Sequence, residues 1–142
     1  MPLAQSHREA LIAACPLFAG LDGDGMAAVA QAAVEVEFAA GRTIARQGEI
    51  GTGLFIVAEG AVRVVRDGEI IARLGSGEFF GELSVLDGGP RSASVIADAP
   101  TICLALATWD AERVLREQPG VALAVLRVLA ARLREATADH RT

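Results

Sequence analysis

The chain has 142 residues, is 52% hydrophobic and 22% charged, and carries a formal net charge of −5. That length suits one domain, able to bury about two-thirds of its unfolded surface, which excludes disorder and collagen-like repeats. No apolar run approaches the roughly 20 residues that cross a bilayer, no charged-then-apolar leader opens the chain, and the acidic balance argues against nucleic-acid binding by this chain alone. A soluble, cytoplasmic protein is expected.

All thirteen cations are Arg. Cys15 falls in an apolar helix-like stretch and Cys103 in a strand-like one, so both read as reduced, buried hydrophobes. His7 and His140 are the only histidines. Residues 1–33 read as N-terminal helices. Ser6 with Glu9 has the spacing of a capping box, and Ala10, Leu11, Ala14 and Cys15 follow at helical intervals. Pro16 ends that piece. Leu17, Phe18 and Leu21 make an apolar elbow before a second helix near 24–33, opened by Asp22 or Asp24.

The period changes across 34–107. Val34, Val36 and Phe38 alternate with Glu35 and Glu37, as in a half-buried strand. Further strand signals fall at 43–46, 54–59, 61–66, 69–74, 91–97 and 101–106, separated by glycine-bearing turns. Asp67-Gly68 has the chemistry of a two-residue hairpin turn. Short strands with a glycine turn every several residues predict an antiparallel β-roll or jelly roll. Residues 108–138 return to helix. Thr108 is the expected cap of a hinge helix reaching about Glu117, and Pro119 the first position of a longer lid helix. Along the lid, Leu123, Leu126, Ala130 and Leu133 form a stripe that reads as core or lid packing, or alternatively as a homodimer seam. Trp109 is expected to anchor helix to barrel. The predicted fold is therefore mainly β with flanking helices, one domain over 1–142.

One segment breaks the strand-turn rhythm, Gly77 through Val95. Alternation stops at Phe80, Gly81–Leu86 can form a helical turn, and Gly88-Gly89-Pro90 must turn tightly. Arg91, Ala93, Val95 and Ala97 then share one face, the inner one. An inward Arg needs an anion, because an uncompensated buried charge costs several kcal/mol. Glu82 is one candidate and a bound phosphate the other. Free N–H groups at Gly81–Leu83, with those of Ser92 and Ala93 and the Ser92 hydroxyl, favour the phosphate.

Phe80-Gly81-Glu82-Leu83, followed after seven residues by Arg91-Ser92-Ala93 and then Val95, resembles the phosphate-binding cassette of the cyclic nucleotide-binding domain family. Pro16-Leu17-Phe18 and Leu21 are similar to that family's helical lead, Gly41, Gly48, Gly51, Gly60 and Gly75–Gly77 to its β-roll turns, and Leu115–Arg134 to its hinge and C-helix. The resemblance implies a cassette over 80–93 in which Arg91 pairs with the cyclic phosphate and Glu82 takes the ribose 2′-hydroxyl. Gly81, Leu83 and Ser84 would lie beside it with Phe80, while Ser92 and Ala93 complete the cradle. Val64 and Ile71 would form apolar walls, and Arg132 on the C-helix would cap the base. The implied ligand is cAMP, with cGMP as the alternative; Ser92 after the Arg suits cAMP. No prosthetic group or metal is expected.

A metal-dependent barrel catalyst would need clustered His ligands, yet 34–107 contains no histidine, so no catalytic role is assigned. The remaining contexts are a stand-alone receptor acting on an unknown protein partner, the sensor part of a regulator similar to catabolite activator proteins, a channel or kinase regulatory domain, and an interaction module with a vestigial pocket. No DNA-binding domain is expected within 1–142, since nothing follows Thr142 to build a helix-turn-helix.

Overall fold

The computed structural model describes residues 3–18, 21–51, 53–81 and 88–138. Helix α1 spans Gln5–Ala14, a 3-10 turn spans Pro16–Phe18, and α2 spans Gly23–Ala32. The strands are β1 (Val34–Phe38), β2 (Thr43–Ala45), β3 (Gly53–Glu59), β4 (Val62–Arg66), β5 (Glu69–Leu74), β6 (Phe79–Phe80), β7 (Ser94–Ala97) and β8 (Thr101–Ala107). Helices α3 (Thr108–Glu117) and α4 (Pro119–Ala138) close the described chain.

Caps decide the helix starts only in part. Asp22 caps α2, its carboxylate accepting from the Gly25 N–H at 2.7 Å. The Ser6–Glu9 box does not form: α1 begins after Ala4 with no side-chain cap bond, which places Ser6 inside the helix. A tertiary contact acts there instead, the Leu3 N–H donating to Glu35 Oε1 at 2.6 Å. Arg8 turns toward the far end of α2 and donates to the Ala30 carbonyl at 3.0 Å and to that of Ala33. Thr108 likewise is not a cap. It is the first residue of α3, after Ala107, and its buried hydroxyl finds no hydrogen-bond partner among the described residues.

The strands form two antiparallel sheets, ordered β1-β8-β3-β6 and β2-β7-β4-β5. Arg66 pairs with Glu69 across the β4–β5 turn, and Asp67 and Gly68 both have positive φ, 52° and 83°. Such angles give a turn whose twist matches the strands it joins. Phe79–Phe80, outside the strand signals in the sequence, pairs with Phe55 and Ile56. Regular pairing of β7 begins only at Ser94, later than the expected Arg91.

The first sheet is buried on both faces. Leu54, Ile56, Ala58, Leu104 and Leu106 face a helical core with Leu11, Ile12, Val29 and Val125. The alternate residues Phe55, Val57, Phe80 and Cys103 face the roll interior with Ala45, Val62 and Val95. Burial on both sides makes β3 and β8 near-continuous apolar runs, whereas in β1 the sequence alternates but the burial does not, since Val34 is 60% exposed. Cys15 and Cys103 are both buried and not joined in a disulfide, and burial pushes the Cys103 thiol up to about 12.

Helix α4 packs through Val121, Ala124 and Val125, with Leu129 partly buried. The stripe expected to pack lies on the other side, with Leu123 48%, Leu126 62% and Leu133 65% exposed. Trp109 is 71% exposed and anchors nothing in the barrel, because α3 turns Ala111 and Val114 inward. Among the described residues no helix is long and apolar enough to cross a membrane, and no group of three or more His, Cys, Asp or Glu could hold a metal ion.

The second sheet carries an ion cluster. Asp98 Oδ1 lies 2.5 Å from Arg63 Nη1, and Asp98 Oδ2 lies 2.8 Å from Arg73 Nη1. Arg63 and Arg73 are cross-strand partners on β4 and β5, so one carboxylate ties the hairpin to the turn after β7. The Arg63 hydrogen bond above all, with the Arg73 charge, holds the Asp98 pKa below its ordinary 3.8. A depressed carboxylate pKa adds stability that is complete above the unfolded-state value and fades as pH falls through the folded-state value. The stability difference between the parent and Asp98→Asn, followed by urea unfolding, is therefore expected to stay constant above about pH 5 and to shrink below 3.8.

Candidate functional site

Arg91 follows the turn ending at Pro90, which forms an isolated bridge with Ile50. Its backbone is held on both sides by one loop: the Gly48 N–H donates to the Arg91 carbonyl at 2.9 Å, and the Arg91 N–H donates to the Glu49 carbonyl at 2.8 Å. The same loop is fastened further on, where the Gln47 N–H donates to Ser94 Oγ at 2.9 Å. Alternation from this anchor sends Arg91, Ala93, Val95 and Ala97 inward, all of them buried, and leaves Ser92 exposed. The inward face expected from the sequence is the one observed.

The guanidinium of Arg91, a residue only 8% exposed, rests on backbone. Arg91 Nη2 donates to the Gly53 carbonyl at 2.8 Å, and its Cζ lies 6.0 Å from the Phe55 ring centroid. Gly81 closes the other side with φ +92°. A Cβ at Gly81 would stand 2.2 Å from Arg91 Nη1 and 2.6 Å from the Gly53 oxygen, so no side chain fits. Gly53 is also crowded, since its Cβ would meet the Leu106 oxygen at 2.7 Å. Two glycines are thus required where the guanidinium meets the main chain. Phe80, just before Gly81, is buried and stacks on Phe55 with centroids 5.1 Å apart. A cavity of about 150 Å³ opens beside Arg91, bordered by Arg46, Glu49 and Ile50.

Gly81, Phe80, Arg91, Ser92 and Ala93 are therefore described, and Arg91 meets Gly81 directly. Glu82, Leu83 and Ser84 lie outside the described residues. Val64 packs against the core of the roll interior. Ile71 falls at the β4–β5 register shift between Val64 and Val65 and is 47% exposed. Arg132 is not brought to Arg91. Its Cζ stands 4.5 Å over the Phe79 ring, in a groove of about 480 Å³ bordered by Pro16, Ser76 and Glu78. Strand alternation explains the separation, because Phe79 faces the helical core while Phe80 faces the roll interior. Gly53 and Phe55, which seat the guanidinium, were not singled out in the sequence. A glycine opening an apolar strand was the available signal, and it does not say which side chain approaches.

An inward, charge-bearing donor can take an anion. Residues 35–118 match the family model of the cyclic nucleotide-binding domain. The chain is 45% identical over 101 residues to the "Cyclic AMP receptor protein" of Thermus thermophilus, covering 68% of this chain and 47% of that one. It is 35% identical over 112 residues to a "Cyclic nucleotide-gated potassium channel" of Rhizobium etli, covering 79% of this chain and 31% of that one. Among solved structures, the N-terminal domain of a transcriptional regulator from Streptomyces coelicolor A3(2) superposes with a TM-score of 0.84 at 36% identity, covering 93% of this chain and 96% of that one. The chain spans about half of its curated Thermus relative.

Proposed function

The chain belongs to the cyclic nucleotide-binding domain family, and from that premise we propose that it is a non-enzymatic receptor for a 3′,5′-cyclic mononucleotide, cAMP in preference to cGMP. Arg91 is the charge partner of the cyclic phosphate, Ser92 and Ala93 complete the cradle with their N–H groups, and Glu82 takes the ribose 2′-hydroxyl, with Leu83 and Ser84 beside it. Val64 and Ile71 are the apolar walls. The observation behind this is the inward guanidinium of Arg91, held against Gly53 and Gly81 just ahead of β7, with Ala93 the next inward residue.

The ligand signals by repositioning α4, and does so only to the extent that it binds one position of that helix better than another. Arg132 caps the base only if α4 carries it away from Phe79, its partner in this structure. The protein acts on a downstream protein partner in the cytoplasm, whether as a receptor by itself or as the sensor portion of a regulator or channel. Leu123, Leu126, Ala130 and Leu133 repeat at intervals of three and four along the exposed side of α4, which is the spacing of a helix-to-helix seam. A second copy of the chain is the occupant we assign to that stripe. Sedimentation equilibrium is expected to give twice the chain mass, and a monomer at all concentrations would contradict the seam.

Titration calorimetry with cAMP and cGMP tests the receptor assignment. One-site binding with cAMP the tighter ligand is expected. Arg91→Ala is expected to weaken it roughly thirtyfold or more, the consequence of removing one member of a desolvated charge pair. Equal affinity in parent and variant would overturn the role of Arg91, and absence of heat from folded, ligand-free protein would overturn the receptor assignment itself.

A further inference from the structure

Resting on that assignment, we infer that Arg66 is a positioning residue of the phosphate cradle, fixing the direction of the Ala93 N–H from outside the site. Arg66 ends β4, beside the hairpin turn, and is exposed. Its Nε donates to the Ser92 carbonyl at 3.2 Å. That carbonyl and the Ala93 N–H belong to one peptide unit, and the described chain has no cis peptide bonds. In a trans peptide the C=O and N–H vectors are antiparallel in a rigid plane. Holding the Ser92 oxygen toward the hairpin therefore turns the Ala93 N–H away from it. Among the described residues that N–H donates to nothing, which leaves it available to an acceptor in the cradle.

Arg66 is itself held in place. The turn that follows it is stapled to the loop that fixes Arg91, with Gln47 Nε2 donating to Asp67 Oδ1 at 2.8 Å and the Asp67 N–H donating to Gln47 Oε1 at 3.0 Å. The Gln47 loop thus fastens the backbone of Arg91 directly and that of Ser92 through Arg66. Both halves of the cradle share one support. Phosphate affinity then depends on a side chain that never touches the phosphate.

Chain geometry supplies the test. Nε of Arg and Nε2 of Gln stand the same number of bonds from Cα, so Arg66→Gln keeps an N–H donor in place and removes the charge, whereas Arg66→Met removes both. Because Arg66 is exposed, neither change opens a cavity. Titration of parent and both variants with cAMP at one ionic strength is expected to show Arg66→Met weakened about fivefold, the worth of one net hydrogen bond, and Arg66→Gln close to the parent. The Ala93 amide proton resonance of the ligand-free protein should move in Arg66→Met and stay in Arg66→Gln. Affinity in Arg66→Met equal to the parent, or equal weakening in both variants, would overturn the inference, the second outcome assigning Arg66 a long-range charge effect. A parent that fails to bind cAMP would overturn the receptor assignment, and the cradle role of Arg66 with it.

Discussion

The close approach of Gly53, Gly81 and the Arg91 guanidinium is the constraint on which the site depends. A guanidinium inside a small roll is tolerable only where its charge and its donors are matched, since burying them unmatched costs several kcal/mol. Here the main chain approaches it to hydrogen-bond distance, because neither glycine carries a Cβ. The Phe55 and Phe80 rings stack beside this junction and exclude water from one side. The loop from Gln47 to Glu49 fixes the Arg91 backbone from the other. Position, burial and direction of the charge are thus set by separate elements that converge on one residue.

The doubly buried sheet relates this junction to the helices. Phe80 and Phe55 belong to the roll interior, whereas Phe79, Leu54 and Ile56 belong to the helical core. Adjacent residues of β3 and β6 therefore sit in different cores, and the strand carrying Phe80 to Gly81 also carries Phe79 beneath Arg132 of α4.

How much of this could be read in the sequence depends on the range of the interactions involved. The strand-turn rhythm, the Asp67-Gly68 hairpin, the Asp22 cap, Pro119 as the first residue of α4 and the inward alternation of Arg91, Ala93 and Val95 are local, and the fold follows them. The Ser6–Glu9 box and the Thr108 cap are also local signals, but neither forms: a Leu3–Glu35 contact acts at the start of α1, and the cap position of α3 falls at Ala107, one residue before the expected one, with Thr108 inside the helix. Trp109 reads as a packing anchor, and the Leu123–Leu133 stripe as packing or alternatively a dimer seam, on hydrophobicity and spacing, which cannot tell which face of a helix meets the core. Val121, Ala124 and Val125 supply that face. The Gly53 seat of Arg91 and the Arg66 bond to Ser92 join residues far apart in the chain, and no periodicity encodes them.

The most direct measurement is a crystal structure of the protein grown with cAMP. The cyclic phosphate is expected within hydrogen-bond distance of the Arg91 guanidinium and of the Ala93 N–H, with the Ser92 carbonyl still turned toward Arg66. A nucleotide bound elsewhere, or one whose phosphate lies beyond the reach of Arg91, would contradict the account.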